Sequence, residues 1–257
     1  KLGVAPLLPE TGIVGCDSLL VTPFRGRLFW LWGDSSVPHY PLGIFDSTAA
    51  TSSLKPLDSL KPPVALAYDY FRDAKGAPRG VAKIPGSGPT WLSAVVSLKD
   101  QKGVEQLVAT YSKIENHLDE SEVGLCVWNE ETKGFASSRV LWKKGGGEKP
   151  LIPRGHPVHW TDPAGKAWLL LGDPFPEFRC PATFEAWSDS STWEKIPAPA
   201  HPKDAEGKEI KTHRGSIAWS PFRKKWMAIY TQNLGKPSAF GEIWYAEADQ
   251  PTGPWGT

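Results

Sequence analysis

The sequence predicts an all-β fold, a β-propeller of repeated four-stranded units, and three observations carry the prediction. An apolar strand-like unit, first seen running into Gly33-Asp34, recurs along the chain. Glycine and proline number 25 each, which suits short strands joined by turns rather than helices. No apolar pattern at i, i+3, i+4, i+7 persists over three turns.

The recurring unit is clearest where Gly26-Arg27-Leu28-Phe29-Trp30-Leu31-Trp32-Gly33-Asp34 aligns with Gly165-Lys166-Ala167-Trp168-Leu169-Leu170-Leu171-Gly172-Asp173. Looser copies start at Gly103 and Arg223. Each copy follows a short strand, at residues 18–22, 93–98, 157–161 and 216–220. The turn between the two reads as a hairpin. Third strands are expected at 44–51, 123–129, 183–188 and 242–248. Outer strands are expected at 65–70, 138–142 and 193–196. The spacing between units exceeds the about 40–50 residues of WD40 or kelch blades, which implies long loops. The Pro- and Lys-rich stretches 54–63, 143–153 and 197–211 fill that place. The competing architecture is a two-sheet sandwich, but a sandwich does not require strand triplets to recur in one internal order.

Composition narrows the function. The formal net charge is +1, which gives no electrostatic case for nucleic acid or an anionic membrane surface. No apolar run approaches the ~20 residues that span a bilayer. The three cysteines, Cys16, Cys126 and Cys180, lack metal-type spacing and are expected to be buried, inert thiols. The sequence contains no Gly-x-Ser-x-Gly, P-loop, GxGxxG or HExxH motif. His156 and His159 stand three apart on an expected strand, so their side chains point to opposite faces.

The segment Ala246-Glu247-Ala248-Asp249-Gln250-Pro251-Thr252-Gly253-Pro254-Trp255 resembles the blade-closing strand and turn of five-bladed propeller glycosidases. These are the arabinanase and β-xylosidase type, with related fructan- and agar-oligosaccharide-cleaving groups. The start, Gly15-Cys16-Asp17-Ser18 through Gly33-Asp34-Ser35, resembles a domain related to bacterial endo-D-arabinanases. The resemblance implies a single five-bladed β-propeller over residues 1–257, with four blades visible. It places a fifth blade beyond Thr257 or partly on residues 1–14. It further implies hydrolysis of glycosidic bonds in a polysaccharide or its oligosaccharides, a carbohydrate partner, a monomer and a secreted or periplasmic location. It implies no organic cofactor and allows a structural Ca²⁺ in the channel, for which no ligand set is evident.

In such a propeller the inner-strand starts and the loops after the second strands converge. Glycoside cleavage commonly uses two carboxyl groups flanking the bond. The resemblance places the base at Asp17, the start of the first inner strand. Later inner strands start with Arg154-Gly155-His156 and His213-Arg214-Gly215, where the family carries further carboxylates. The acid therefore falls to a loop carboxylate (Asp34, Glu115, Asp173, Glu177 or Glu242) or to His156, whose unperturbed pKa lies near the working range. Trp91, Arg154, Arg179, His213 and Arg214 are the expected substrate-binding residues. The arginines suit an acidic sugar by bidentate contact, or alternatively pair with Asp17, Asp34 or Asp173 as scaffolding. His39, Tyr40, Phe175 and Phe178 are candidates to stack on sugar faces. Two other functions remain open at this point: a non-catalytic carbohydrate-binding propeller, and an interaction scaffold.

Overall fold

The computed structural model describes residues 12–13, 15–36, 47–54, 66–116, 118–235 and 241–256. The chain divides into two compact units, residues 1–98 with 105–152 and residues 99–104 with 153–257.

The first unit holds two four-stranded antiparallel sheets. One runs β1 (Gly15–Phe24), β2 (Arg27–Ser36), β3 (Thr48–Ser53), β4 (Asp69–Tyr70). The other runs β5 (Thr90–Lys99), β6 (Glu105–Glu115), β7 (Asp119–Asn129), β8 (Gly134–Lys143). Strand alternation makes the core. Leu20, Phe24, Phe29 and Leu31 turn inward from the first sheet and meet Leu107, Trp128 and Phe135 of the second. Phe29, Trp128 and Phe135 pack edge to face, with centroids 5.1–6.1 Å apart.

The second unit repeats the plan. One sheet runs β9 (Val158–Thr161), β10 (Ala167–Gly172), β11 (Pro176–Pro181), β12 (Glu194–Lys195). The other has three strands, β13 (Thr212–Ser220), β14 (Lys225–Gln232) and β15 (Ile243–Ala248). Ile217, Trp226, Ala228 and Tyr230 face a core that includes Phe175 and Trp255.

The third expected strand of the second unit is displaced. Residues 183–188 form not a strand but a helical turn, α1 (Phe184–Ser188), and the strand is β11 instead. Thr183 caps the helix, its Oγ1 accepting the Ala186 N–H at 3.2 Å. The expected blade on residues 1–14 falls almost wholly outside the described residues.

Two sequence devices recur in the hairpins. Asp73, Asp100, Asp162 and Asp204 each open an Asp-x-x-Gly turn, and each Oδ1 accepts the backbone N–H groups two and four residues on. The glycine lies at φ 77–83 in all four, a left-handed position that side chains disfavour. The second device is Pro-Phe-Arg, which closes β1–β2 as Pro23-Phe24-Arg25 and β13–β14 as Pro221-Phe222-Arg223. Phe24 is 8% exposed within the first unit's core, whereas Phe222 is 93% exposed.

Candidate functional site

Asp17 and Asp34 lie together at one end of the β1–β2 pair. Asp17 is opposite Gly33, and the register slips on both sides of Asp17. The slip forces left-handed backbone on two non-glycine residues, Ser18 (φ 42) and Asp34 (φ 34). Strain of this kind persists only where surrounding structure holds it, and it concentrates at functional positions. The Asp17 side chain is exposed, and Ser18 Oγ donates to its Oδ1 at 2.6 Å. Among the described residues Asp17 makes no ion pair. Asp34 is half-buried. Cys16 beside them is exposed, contrary to the expectation for the three thiols, while Cys126 and Cys180 are buried. Desolvation, and then the Asp17 carboxylate, raise the Cys16 thiol above its ordinary value. Burial pushes Cys180 up to about 12.

Trp91 is half-buried at the start of β5. Its segment is clamped by Lys113, which is 4% exposed and whose Nζ donates to Gly88 O at 2.8 Å and Thr90 Oγ1 at 3.0 Å. Around Lys113 the ends of β6 and β7 carry a row of carboxylates. Lys143 pairs with Glu122 at 2.8 Å, Lys144 lies 3.7 Å from both Glu115 and Asp119, and Lys149 pairs with Glu120. Burial alone would raise the Glu122 carboxyl. Hydrogen bonds from Lys143 and from Tyr111 (2.6 Å) outweigh it and bring the group below its ordinary range. Sequence reading found Glu115 and missed the rest of this row. Asp119-Glu120-Ser121-Glu122 followed by Lys143-Lys144 was the available signal.

In the second unit, His156, His213 and Arg214 gather near Asp173, expected either as a loop acid or as a scaffolding partner of an arginine. Its Oδ2 accepts from Arg214 Nη1 and its Oδ1 from the Gly215 N–H, both at 3.0 Å. The Gly215 carbonyl stands 3.3 Å from His156 Nδ1. Thr231 Oγ1 accepts the Arg214 N–H at 3.3 Å and lies 3.4 Å from His213 Nδ1. Gly155 brings the strand starts together by bridging Gly172 in parallel at φ 75. A Cβ there would stand 2.4 Å from Gly172 O. Arg214 thus takes the scaffolding alternative, and Arg154 is exposed.

The other expected residues lie elsewhere. Arg179 is not in a loop but in β11, opposite Leu170. Its Nε donates to Glu194 at 2.8 Å, and its guanidinium covers Trp168 at 4.1 Å. Glu242 is exposed, with its carbonyl accepting from Gln232 N–H at 2.9 Å. Phe175 and Phe178 are buried, so neither presents a face to a sugar. His39 and Tyr40 lie outside the described residues. Among the described residues no group of three or more His, Cys, Asp or Glu side chains is placed to hold a metal ion. Nor is any helix of those residues long and apolar enough to cross a membrane.

No family model matches the sequence, and no curated protein matches it. Solved structures do. The GH43_1 enzyme from Xanthomonas citri superposes with TM-score 0.50 at 12% identity, over 96% of this chain and 74% of that one. The fold shared with that enzyme is a β-propeller, of which four sheets are described in this chain. The same enzyme complexed with xylotriose gives TM-score 0.50 at 12% identity, over 98% of this chain and 74% of that one. An exo-β-1,3-galactanase from Phanerochaete chrysosporium, with galactose, gives 0.49 at 12% identity, over 95% of this chain and 49% of that one.

Proposed function

We propose that this propeller hydrolyses glycosidic bonds of a polysaccharide or of oligosaccharides derived from one, with Asp17 as the base. The observation that carries the reading is the state of Asp17. It is an exposed carboxylate at a strained strand start, without an ion pair among the described residues and oriented by Ser18. A carboxylate open to solvent and oriented by a neighbouring hydroxyl suits a base or nucleophile. The partner acid that the first unit itself offers is Asp34, on the paired strand; His156 and Glu242 are the acid candidates of the second unit. Trp91, Arg154 and His213 remain the groups offered to a sugar, with Arg179 and Arg214 acting mainly through the residues they hold. The protein works as a secreted or periplasmic monomer without an organic cofactor.

The second reading is a carbohydrate-binding propeller without catalysis. It is favoured by the second unit, where histidines and a paired arginine occupy the strand starts in place of carboxylates. One experiment separates the two. Reducing-end release is measured on a panel of polysaccharides and oligosaccharides, xylotriose included, with the wild type and Asp17→Asn. Loss of at least about 100-fold in rate supports the base, in line with the ~10²–10⁴ supplied by general acid–base groups. Unchanged activity removes Asp17 from that role. Binding without turnover in the wild type favours the second reading.

A further inference from the structure

We infer that Asp173 is a positioning residue which, by anchoring Gly215, fixes His156 as the tautomer with hydrogen on Nδ1. The chain of contacts is short. Asp173, with a side chain 16% exposed, accepts the Gly215 N–H on Oδ1 at 3.0 Å and Arg214 Nη1 on Oδ2 at 3.0 Å. Both carboxylate oxygens are therefore committed, one to each side of the same strand start. Gly215 is thereby anchored at its N–H, its pairing with Tyr230 in β13–β14 holds its backbone angles, and its carbonyl, in the next peptide group, faces His156 Nδ1 at 3.3 Å. A carbonyl oxygen only accepts, so the hydrogen in that contact belongs to Nδ1. The neutral imidazole then carries its lone pair on Nε2. Gly155 adds rigidity from the other side, because its bridge to Gly172 pins the segment before His156.

The chemical consequence is directional. A neutral His156 held this way accepts a proton at Nε2. It donates one from Nε2 only after both nitrogens are protonated, with Nδ1–H still on the Gly215 carbonyl. A hydrogen bond at one ring nitrogen sets which tautomer a histidine adopts. The catalytic meaning of this assignment rests on the glycosidase reading, but the tautomer itself does not.

The test reads the tautomer directly. Two-dimensional ¹H–¹⁵N spectra of the imidazoles are recorded on the whole 257-residue chain, with His156→Gln identifying the His156 signals by subtraction. In the wild type, Nδ1 is expected to be protonated and Nε2 to be of the lone-pair type. Asp173→Asn keeps an acceptor for the Gly215 N–H and is expected to preserve that pattern. Asp173→Ala removes the acceptor and is expected to redistribute the hydrogen between the two nitrogens. Neutral wild-type His156 with hydrogen on Nε2 and a bare Nδ1, read at a pH where the ring carries one hydrogen, or an unaltered pattern in a folded Asp173→Ala, overturns the inference. If Asp173→Ala does not fold, the wild-type and Asn spectra still decide it. A confirmed tautomer in a chain that hydrolyses nothing in the sugar panel would sink the glycosidase reading and leave this inference standing.

Discussion

The two Pro-Phe-Arg turns allow a controlled measurement of what burial contributes. Phe24 is 8% exposed among Leu107, Trp128 and Phe135, with the Arg25 guanidinium 5.0 Å from its ring centroid. Truncating a buried phenylalanine to alanine costs about 3–5 kcal/mol, from lost transfer energy and the cavity left behind. Loss of the cation–π contact adds about 0.5–1 kcal/mol. Phe222 follows the same proline and precedes the same arginine, but it is 93% exposed. Its truncation should cost no more than about 0.5 kcal/mol. Phe24→Ala and Phe222→Ala are to be unfolded in urea beside the wild type, followed by far-UV circular dichroism and by tryptophan fluorescence. The Phe24 variant should lose on the order of 10 °C in a thermal scan, while the Phe222 variant stays within about 2 °C of the wild type. Equal losses in the two variants would refute the claim that the packed neighbouring sheet, rather than the turn sequence, sets the value of the residue.

Three further outcomes are expected. Gly155→Ala places a Cβ 2.4 Å from Gly172 O at φ 75, so a loss of about 2 kcal/mol or more in urea stability is expected, with His156 displaced in the imidazole spectra. The carboxyls of Glu122, Asp162 and Glu247 all titrate below their ordinary values. A depressed folded pKa gives stability that is present above the unfolded value and lost as pH falls through the folded one. The urea midpoint should therefore fall on acidification below about pH 4.5, the ordinary value for glutamate, and Glu122→Gln should flatten that fall. Arg179→Lys should lose stability but little carbohydrate binding, because the guanidinium reaches Glu194 at 2.8 Å and the Trp168 ring at 4.1 Å together and a single ammonium does not span both; weakened sugar binding at unchanged stability would return Arg179 to the substrate-binding set.

Much of the fold was legible because strand alternation and turn chemistry are local. The pairs β1–β2, β5–β6 and β13–β14 stand where the apolar units and their preceding strands were expected. The failure at residues 183–188 has a local cause as well. Phe184, Ala186 and Trp187 read as a short apolar strand, but Thr183 supplies a helix cap, while the true strand is bracketed by Pro176 and Pro181 and so looked like a loop. Asp17 is singled out by resemblance, on Gly-x-Asp at a strand start, and it stands at the irregular end of β1. The Arg214–Asp173 pair was one of several open alternatives, but the Gly215 N–H as its companion on the same carboxylate was not legible, since both partners lie about 40 residues away and only the fold brings them there. The same holds for Glu120 and Glu122, whose lysines follow a whole strand later. The Asp-x-x-Gly turns were present in the sequence four times, and reading them as a period would have fixed those hairpin turns to the residue.

The glycine-rich loop after β8 has a consequence for handling the protein. Lys143, Lys144 and Lys149 seat that loop on Glu122, Glu115, Asp119 and Glu120, and the lysines are a third to two-thirds exposed. Pairs so open to solvent are attenuated when the screening length shrinks from about 10 Å at 0.1 M salt to about 3 Å at 1 M. Ionic strength therefore acts as a dial on how firmly the loop lies down. A protease specific for lysine would read that dial as a cleavage rate, with the stretch from Lys143 to Lys149 becoming the more cuttable part of the first unit as salt is raised.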